Sequence, residues 1–451
     1  MPATRTRPRV PDIFPRGQAM AGLRLGLLGL GAVAITALAP AALKFSDSPF
    51  IALMLLHACL ATLAMRSAAA LSGRGALILV FAVAIVLRVM LLFEPPLLSS
   101  DLYRYIWDGR VINAGFNPFT HVPAEDALAF LRDAAIYPNV DKKDYAVSIY
   151  PPVAQFIFAA TAWISDGVLG IRLAMLAFEA AAVAAMLALL DALKKPRTLV
   201  VGYLWHPAAL WEIANNAHVD AAMMALVFVA FALGVARARP YLAGALLAFA
   251  TLVKPTAFLA LPTLWRPWDV KLPAFVLAVA LLCYAPFLSA GSGIFGFLGI
   301  YFQEQRLDTG NSYFLLNLLT GGEEPEKALV SAYYAVAGAI LAALIVRASF
   351  RMERSLETAL RDTAALLITF LFFLSPDFPW YYLVLLPFVP LLGSWGAFAM
   401  TSAGFLLNDV IDDDYSLGFF TRASIFNALV LIALACECAW PVLRKRLGAK
   451  A

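Results

Sequence analysis

The sequence predicts an all-α, polytopic membrane protein, and three observations support this class. Of its residues 62% are hydrophobic and only 14% are charged, whereas a soluble protein carries about a quarter charged residues. Apolar runs of about 20 residues, the length of a bilayer-spanning helix, recur from end to end. Basic residues cluster between these runs, as the positive-inside rule requires of cytoplasmic loops. We therefore predict one integral membrane domain over 22–442 with about 11 to 13 transmembrane helices, between a basic cytoplasmic N-terminus (1–21) and a basic cytoplasmic tail (443–451).

Three apolar runs come first, near 22–43, 50–67 and 75–93. With the arginine-rich N-terminus on the cytoplasmic side, the third run ends on the outer face of the membrane. The polar stretch that follows, 94–149, is then a large extracytoplasmic loop. Its turn signals and short amphipathic pieces predict that it folds against the membrane.

Polar residues and short runs complicate the middle of the chain. The run near 152–165 must be interfacial or re-entrant if the basic residues after the next run, near 169–193, are to be cytoplasmic. Two further helices are predicted near 198–217 and 219–236, and they meet at a polar break on the outer side.

Lys254-Pro255 breaks the apolar run 241–265, because proline removes a helical hydrogen bond and clashes with the preceding turn. A broken hairpin with its tip at Lys254 is predicted, and irregular backbone at membrane depth requires protein or a wet cavity around it. A lysine within an apolar run is usually functional. The structural alternatives are snorkelling and a buried ion pair.

The last third of the chain is predicted to contain a second outer loop and further helices. After a helix near 271–289 come an outer loop at 291–313 and helices near 329–349 and 358–374, then an outer break at 375–382. Two short apolar runs (381–393 and 395–407), an acidic loop and a final helix near 421–442 follow. The acidic run Asp412–Asp414 is interpreted as a solvated loop instead of a calcium site.

Four polar sets, far apart in sequence, are predicted to converge on the outer side of the membrane. They are the Asp101 loop, Asn215–Asp220, Gln303–Asp308 and Asp377–Tyr382, with Lys254 a further candidate. In the first set, helical spacing places Asp101 and Asp108 on the same face as Arg104. A carboxylate near apolar walls suits a general base, so Asp101 is the candidate base; the alternative is an ion-paired helix cap.

Other polar residues receive structural interpretations. Arg88 and Glu179 lie inside apolar helices, and we hypothesise that they pair with each other. His218 is not accompanied by the spacing of a zinc motif, so no metal site is predicted. It is expected to orient a polar substrate or to cap a helix.

In these motifs the sequence resembles the glycosyltransferase type C superfamily, and it is most similar to the bacterial polyprenol-phosphate-dependent mannosyltransferases grouped as family 87. The likeness covers the chain from residue 95 to residue 385. Two features depart from the family pattern: three helices instead of one precede the loop, and Phe378 stands where related sequences often have histidine. The matching stretches are Ser100–Arg110, Asn113–Phe119, Ile149–Pro152, Asn216–Ala221, Leu252–Thr256 and Pro379–Tyr381.

The resemblance implies an inverting transfer of a sugar, expected to be mannose, from a polyprenyl-phosphate donor to a hydroxyl of a lipid or glycan acceptor. It also implies that Asp101 is the catalytic base. Departure of the sugar leaves a second negative charge on the phosphate, which cations stabilise. The candidate donor-phosphate ligands are Lys254, Arg104 and Arg306. The candidate substrate-binding residues are Asp108, Arg110, Tyr150, Asn216, His218, Asp220, Gln303, Trp380 and Tyr381.

No metal and no cofactor are expected, because Tyr103 occupies the second acidic position of a DxD motif that would begin at Asp101. The expected partners are the lipid-linked donor, the acceptor and membrane lipids, and no nucleic acid is expected. The expected location is the bacterial cytoplasmic (inner) membrane, with the active site on the extracytoplasmic side.

A transporter or lipid flippase is the alternative, since it would explain broken helices and buried charges. Against it, the sequence shows no inverted repeat, and most of its polar sets are placed at the outer surface instead of mid-membrane. An oligosaccharide ligase or polymerase is a second alternative. Such enzymes have their large loop late in the chain, whereas here it comes early.

Overall fold

The computed structural model describes residues 18–410 and 418–446, and all regular elements in these ranges are helices. The all-α prediction is therefore confirmed. Residues 1–17 and 447–451, which carry most of the predicted termini, and the predicted acidic loop at Asp412–Asp414 lie outside the described residues. Within the described ranges, seven helices are long and apolar enough to cross a membrane. They are Ala19–Phe45, Asp47–Ala69, Arg74–Leu92, Val168–Ala192, Lys271–Glu304, Lys327–Phe350 and Phe419–Trp440.

Two consecutive helices, Pro207–Asn215 and Asp220–Val235, would together form an eighth span. We call them the bent pair, because the chain bends by 118° where they meet. This bend confirms the polar break predicted between the two helices in this region. Seven or eight candidate spans are fewer than the 11 to 13 predicted, and the described residues reach the predicted number only if four shorter apolar helices also cross the bilayer. The four are Pro152–Ile164, Pro240–Thr251, Pro379–Leu392 and Trp395–Leu407.

Two predicted irregularities are present in the structure. Lys254 lies in extended backbone (φ −150°, ψ 126°) between the α-helix Pro240–Thr251 and the 3-10 helix Pro255–Thr263, which confirms the break there. The helix Pro152–Ile164 has only 13 residues, too few to cross a bilayer. Its length agrees with the interfacial or re-entrant position that the charge pattern requires.

The segment 291–313, which was predicted to be a second outer loop, is helical over much of its first half. Helical turns continue through Ala285–Phe295 and Leu298–Glu304, because apolar residues persist past the first glycine. At Gly296 the backbone has φ +55°, and a Cβ there would lie 1.8 Å from the carbonyl oxygen of Ser148. Glycine therefore permits the second loop to contact the first.

Two long helices contribute little to the protein interior. In the most apolar windows of Lys271–Glu304 and Lys327–Phe350, only 11% of the residues are buried, against 44% for Val168–Ala192. Their exposed side chains are mainly apolar, as in Leu277 and Leu281. A surface of this composition is suited to contact with lipid.

The segment 94–149, predicted to be the first outer loop, is ordered by its packing on the helix that follows it. Its helix Asp101–Asn113 lies against Pro152–Ile164, with Tyr105 stacked on Phe158 at 4.6 Å between ring centroids. Gly109 permits this approach, because a Cβ there would lie 2.4 Å from the carbonyl oxygen of Phe158. The loop is thus a fixed part of the fold, and it holds Asp101 at a defined place.

The hypothesised pair of Arg88 and Glu179 is confirmed. The Arg88 guanidinium donates to both carboxylate oxygens, Nε to Oε2 at 2.7 Å and Nη2 to Oε1 at 2.6 Å. A further hydrogen bond from Nη1 reaches the Leu204 carbonyl at 2.9 Å, so the pair also ties the third span to the segment before the bent pair. Each of the two buried charges is therefore neutralised by the other, as charges within apolar helices require.

Arg88→Met is expected to destabilise the protein by about 3–5 kcal/mol, because it leaves the Glu179 carboxylate buried without its counter-charge. The double variant Arg88→Met/Glu179→Met should recover most of this loss. Thermal unfolding in nanodiscs measures both. The control is Arg361→Met, which breaks a pair with Glu357 whose side chains are 54% and 46% exposed and should cost little. Equal losses in Arg88→Met and Arg361→Met would contradict the prediction.

Candidate functional site

Asp101 begins the first-loop helix, and its carboxylate faces a partly open site. The side chain keeps 30% of its surface exposed. Its Oδ2 accepts a hydrogen bond from the Tyr150 hydroxyl at 3.4 Å and lies 3.8 Å from Nδ1 of His218. Arg104 pairs with Asp108, four residues along the helix, and not with Asp101. The ion-paired helix cap considered as the alternative role of Asp101 is therefore not what the structure shows.

The surroundings of Asp101 make its carboxyl group a weaker acid than usual. Burial raises the pKa of Asp101 above its ordinary value of 3.8, and the charges of Asp141 and Asp220 also raise it. Positive charge on His218 and Lys254 acts in the opposite direction without cancelling the effect. A carboxylate with a raised pKa takes up a proton more readily, which is the property a general base needs.

Lys254 faces the same site from the break between its two helices. Its ammonium donates to both carboxylate oxygens of Asp220, at 2.7 Å and 2.9 Å, and lies 4.1 Å from the centre of the Tyr381 ring. The Tyr381 hydroxyl is 2.5 Å from that of Tyr301. Of the two structural alternatives for Lys254, the structure thus shows an ion pair, with 17% of the lysine side chain still exposed.

Aromatic rings line one side of the site. The His218 imidazole stacks on Trp380 at 4.3 Å, and Trp380 stacks on Phe378 at 4.5 Å. Phe378 therefore occupies one end of a stack of three rings. Trp380 and Tyr381 are both partly exposed, but stacking covers the faces of Trp380, and the Lys254 ammonium lies over the Tyr381 ring.

Arg104 and Asp108 are turned into the protein. Arg104 Nε donates to Asp108 Oδ1 at 2.8 Å, and Arg104 Nη1 donates to the Ala146 carbonyl at 3.0 Å. Asp108 also accepts from Ser148 at 2.5 Å and from Gln155 at 3.2 Å, and both charged side chains are buried. The contacts of both side chains hold the loop. The roles predicted for Arg104 at the donor phosphate and for Asp108 at the substrate stay predictions.

Arg110 is likewise engaged elsewhere. Its guanidinium pairs with Asp133 at 2.7 Å and with Asp166 at 2.8 Å. These contacts join the first-loop helix to the rest of the loop and to the turn after Pro152–Ile164. A structural role accounts for its position, and its predicted contact with substrate stays a prediction.

The segment 291–313, predicted to be the second outer loop, contributes a cation and an amide at the protein surface. The side chains of Gln303 and Arg306 are exposed, and among the described residues no hydrogen bond or ion pair engages either one. Arg306 is close enough to Asp377 to oppose the effect of burial, which raises the pKa of that carboxyl to about 6. Arg306 thus remains a candidate ligand for an anionic substrate.

The break in the bent pair positions the segment that leads to Asp101. Asn216, a predicted substrate ligand, is buried, and its Oδ1 accepts from the Leu98 N–H at 3.2 Å. Asn215 accepts from the Leu97 N–H at 3.1 Å. Arg172, which the sequence reasoning missed, donates to the carbonyls of Asn215, Leu92 and Glu94, each at 2.7 Å. Its place near the outer end of an apolar helix was the available signal.

Glu212 is a second residue that the sequence reasoning missed. It is fully buried in the first helix of the bent pair, and its Oε2 lies 3.3 Å from Nε2 of His218. A lone glutamate within the apolar run Leu210–Ala214 was a recognisable signal, since ionisable residues at membrane depth are costly.

Of the four predicted polar sets, the structure brings three into direct contact. Asp101, His218 and Trp380 represent these three sets, and Lys254 joins them through Asp220 and Tyr381. The set at 303–308 is connected more loosely, through Tyr301 and the charge of Arg306.

Residues 80–268 match the MptA_B family model, which is described as an alpha-(1->6)-mannopyranosyltransferase N-terminal domain. No curated protein and no solved structure matches the chain. The matched stretch contains Asp101, His218, Asp220 and Lys254, and it confirms the resemblance over that part of the chain. The match and the apolar helices together support a membrane glycosyltransferase.

Proposed function

We propose that this chain, whose residues 80–268 match the model of a mannopyranosyltransferase N-terminal domain, moves a mannosyl group from a polyprenyl-phosphate donor to a hydroxyl of a lipid or glycan acceptor. The observation that carries the proposal is the partly exposed carboxylate of Asp101, which lies beside His218 and within electrostatic reach of the Lys254 ammonium. The reaction needs a base for the proton of the acceptor hydroxyl and a cation for the charge that develops on the phosphate, and this site contains both.

The proposed reaction is a single displacement with inversion at the anomeric carbon. The acceptor oxygen attacks C1 of the sugar while Asp101 takes the proton of the acceptor hydroxyl. The bond between C1 and the phosphate oxygen breaks, and its electron pair stays with the phosphate. Because the phosphate charge rises from one to two, a cation there stabilises the transition state more than the ground state. Lys254 and Arg306 are the proposed cations.

Several site residues are proposed to bind the sugar and the acceptor. Tyr150 contacts Asp101 directly and is placed to orient an acceptor hydroxyl. Trp380 and Tyr381 are partly exposed, and Gln303 offers an exposed amide. Because Asp220 pairs with Lys254, its proposed role is to hold the ammonium in position.

The proposed location of the reaction is the extracytoplasmic face of the bacterial inner membrane. Arg66 and Arg74 flank the connection between the second and third spans, which the positive-inside rule places in the cytoplasm. Asp101 follows the next crossing and is therefore placed on the opposite face. No metal and no cofactor are part of the proposal.

The test uses purified protein in nanodiscs with radiolabelled polyprenyl-phosphate-mannose and a membrane lipid extract. Label transfer to a lipid or glycan, with an inverted anomeric centre by NMR, would support the proposal. A retained centre would contradict the single displacement. Absence of transfer across several lipid-linked sugars, with movement of labelled lipid between leaflets, would favour the transporter or flippase, for which the 118° bend is the relevant structural feature.

As the pH is lowered, the transfer rate is expected to decline. Because Asp101 is the proposed base, the decline should begin at a higher pH than it would for an aspartate of ordinary pKa. The base must be ionised, and burial raises the pKa of Asp101 above 3.8, so its ionised fraction is lost earlier as the pH falls. The rate should therefore be constant at neutral pH and decline below the raised pKa. A profile of kcat/KM against pH measures this decline.

Asp377 provides the control for this profile, because its pKa of about 6 could produce a similar decline. The Asp377→Asn variant should keep the acid limb of the profile. Loss of the limb in this variant would assign it to Asp377 and contradict the prediction for Asp101.

A further inference from the structure

A second carboxylate lies behind the proposed base, on the far side of a histidine. Glu212 is fully buried, and its Oε2 lies 3.3 Å from Nε2 of His218. The other ring nitrogen, Nδ1, lies 3.8 Å from Oδ2 of Asp101. The imidazole of His218, itself fully buried, thus separates two carboxylates, one inside the protein and one facing the site.

The backbone fixes this arrangement. Ala217 adopts the left-handed conformation (φ +53°), which is uncommon outside glycine, and directs the next residue back along the helix. The His218 N–H then donates to the Glu212 carbonyl oxygen at 2.9 Å. Stacking on Trp380 at 4.3 Å restricts rotation of the ring. The imidazole therefore has a fixed place between the two carboxylates, at ion-pair distance from each and without a hydrogen bond to either.

Glu212 is also linked to the chain segment that carries Asp101. Its Oε2 accepts from Asn216 Nδ2 at 3.5 Å, while Oδ1 of the same asparagine accepts from the Leu98 N–H. Leu98 precedes Asp101 by three residues. A closed circuit of contacts therefore runs from Asp101 through His218, Glu212 and Asn216 back to the backbone before Asp101.

A purely stabilising role does not explain why the Glu212 carboxylate is buried where it is. Its second carboxylate oxygen, Oε1, is buried without a hydrogen-bond partner, and burial of an incompletely paired carboxylate is costly. By contrast, the buried Glu179 has both oxygens bound by Arg88. Backbone strain, such as the left-handed conformation of Ala217 beside His218, is concentrated at functional sites.

We propose that Glu212 is a positioning residue that keeps His218 in its doubly protonated form, with Nδ1 on the side of the ring that faces Asp101. This inference rests on the proposed function, because it assigns Asp101 the role of base. A positive imidazolium between two carboxylates favours the ionised form of Asp101, the form that accepts a proton from the acceptor. Glu212 does not touch substrate, and it acts only through His218.

The other charged groups around Asp101 belong to different elements. Lys254 and Asp220 form their own ion pair, and Asp141 lies in the first outer loop. Tyr150 contacts Asp101 through its hydroxyl. None of these groups reaches the inner side of the His218 ring, where Glu212 is the carboxylate within 4 Å of Nε2.

The test has one readout that does not need enzymatic activity. The chain contains four histidines, so ¹⁵N-histidine labelling gives few signals, and His218→Asn identifies the one that belongs to His218. In the wild type at neutral pH, both nitrogens of His218 should be protonated. In Glu212→Gln the ring should be neutral, whereas Glu212→Asp should keep the imidazolium. A neutral His218 ring in the wild type would overturn the proposal, whether or not the protein transfers sugar.

The second readout is the pH profile of sugar transfer. In Glu212→Gln we expect kcat at neutral pH to fall about 10- to 100-fold, the size typical of residues that orient a functional histidine, with KM nearly unchanged. The acid limb should move up by about one pH unit or more, because a nearby positive charge is lost. Glu212→Asp should restore most of both properties.

Asp362→Asn is the matched control, since Asp362 is a buried carboxylate paired with Arg351 in another part of the chain. It should leave the acid limb in place. Two results for Glu212→Gln would overturn the proposal. The acid limb could stay at the same pH, or it could move to lower pH because the direct repulsion between Glu212 and Asp101 was removed. Absence of transfer by the wild type would instead contradict the proposed function, and the histidine spectrum would still decide the role of Glu212.

Discussion

Asp101→Asn is expected to lower the rate of sugar transfer by about 100- to 10,000-fold, the range that a positioned general base contributes. Asparagine has nearly the shape of aspartate, so the contact with Tyr150 and the spacing to His218 can persist. Its amide oxygen cannot take up the acceptor proton. We therefore expect the loss in kcat, with little change in the affinity for the donor.

Single-turnover transfer in nanodiscs and equilibrium binding of the labelled donor separate these two quantities. Asp166→Asn is the control, because Asp166 is a nearby exposed carboxylate whose partner is Arg110. That variant should transfer sugar at close to the wild-type rate. Full activity of Asp101→Asn would remove Asp101 from catalysis, and a loss of donor binding alone would make it a substrate ligand.

Lys254→Met is expected to lower kcat by about 100- to 1,000-fold, comparable to the loss of one donor that stabilises transition-state charge. The ammonium would stabilise the second charge that develops on the departing phosphate. The variant also leaves Asp220 buried without its counter-charge, which by itself lowers stability. A single substitution therefore mixes a catalytic effect with a structural one.

The double variant Lys254→Met/Asp220→Asn separates these effects, because it removes both charges of the pair. Its stability should return towards that of the wild type, as read by thermal unfolding, while its kcat stays low. Recovery of kcat together with stability would show that Lys254 matters only through Asp220. Lys195→Met serves as the control for loss of a partly buried lysine, since Lys195 donates to the Leu391 carbonyl and lies outside the site.

Two kinds of feature could be predicted from the sequence: those that a single residue imposes on its neighbours, and those that a buried charge requires wherever it lies. Proline after Lys254 forces a break wherever the chain is packed. Arg88 and Glu179 each require a counter-charge inside apolar helices, and few candidates exist for either. The polar motif at Asp101 stands out because its surroundings are apolar.

The features that could not be predicted depend on which face of an element is covered. Helical spacing places Arg104 and Asp108 together, but packing against Pro152–Ile164 decides that they point inward. The extent of the second loop depends on glycines at 291 and 296, which allow helical turns to continue at an angle. Glu212 acquires a partner only through the left-handed turn at Ala217, which no sequence pattern indicates.

The low burial of Lys271–Glu304 has a consequence for the donor, if the donor is a polyprenyl phosphate as proposed. This helix has only 11% of its apolar window buried, and its last turn carries Tyr301, which reaches the site through Tyr381. A prenyl tail could stay dissolved in the bilayer along this helix while its phosphate enters the site. Binding energy would then come from membrane partitioning instead of a tail pocket, so the enzyme would discriminate little between donors of different chain length.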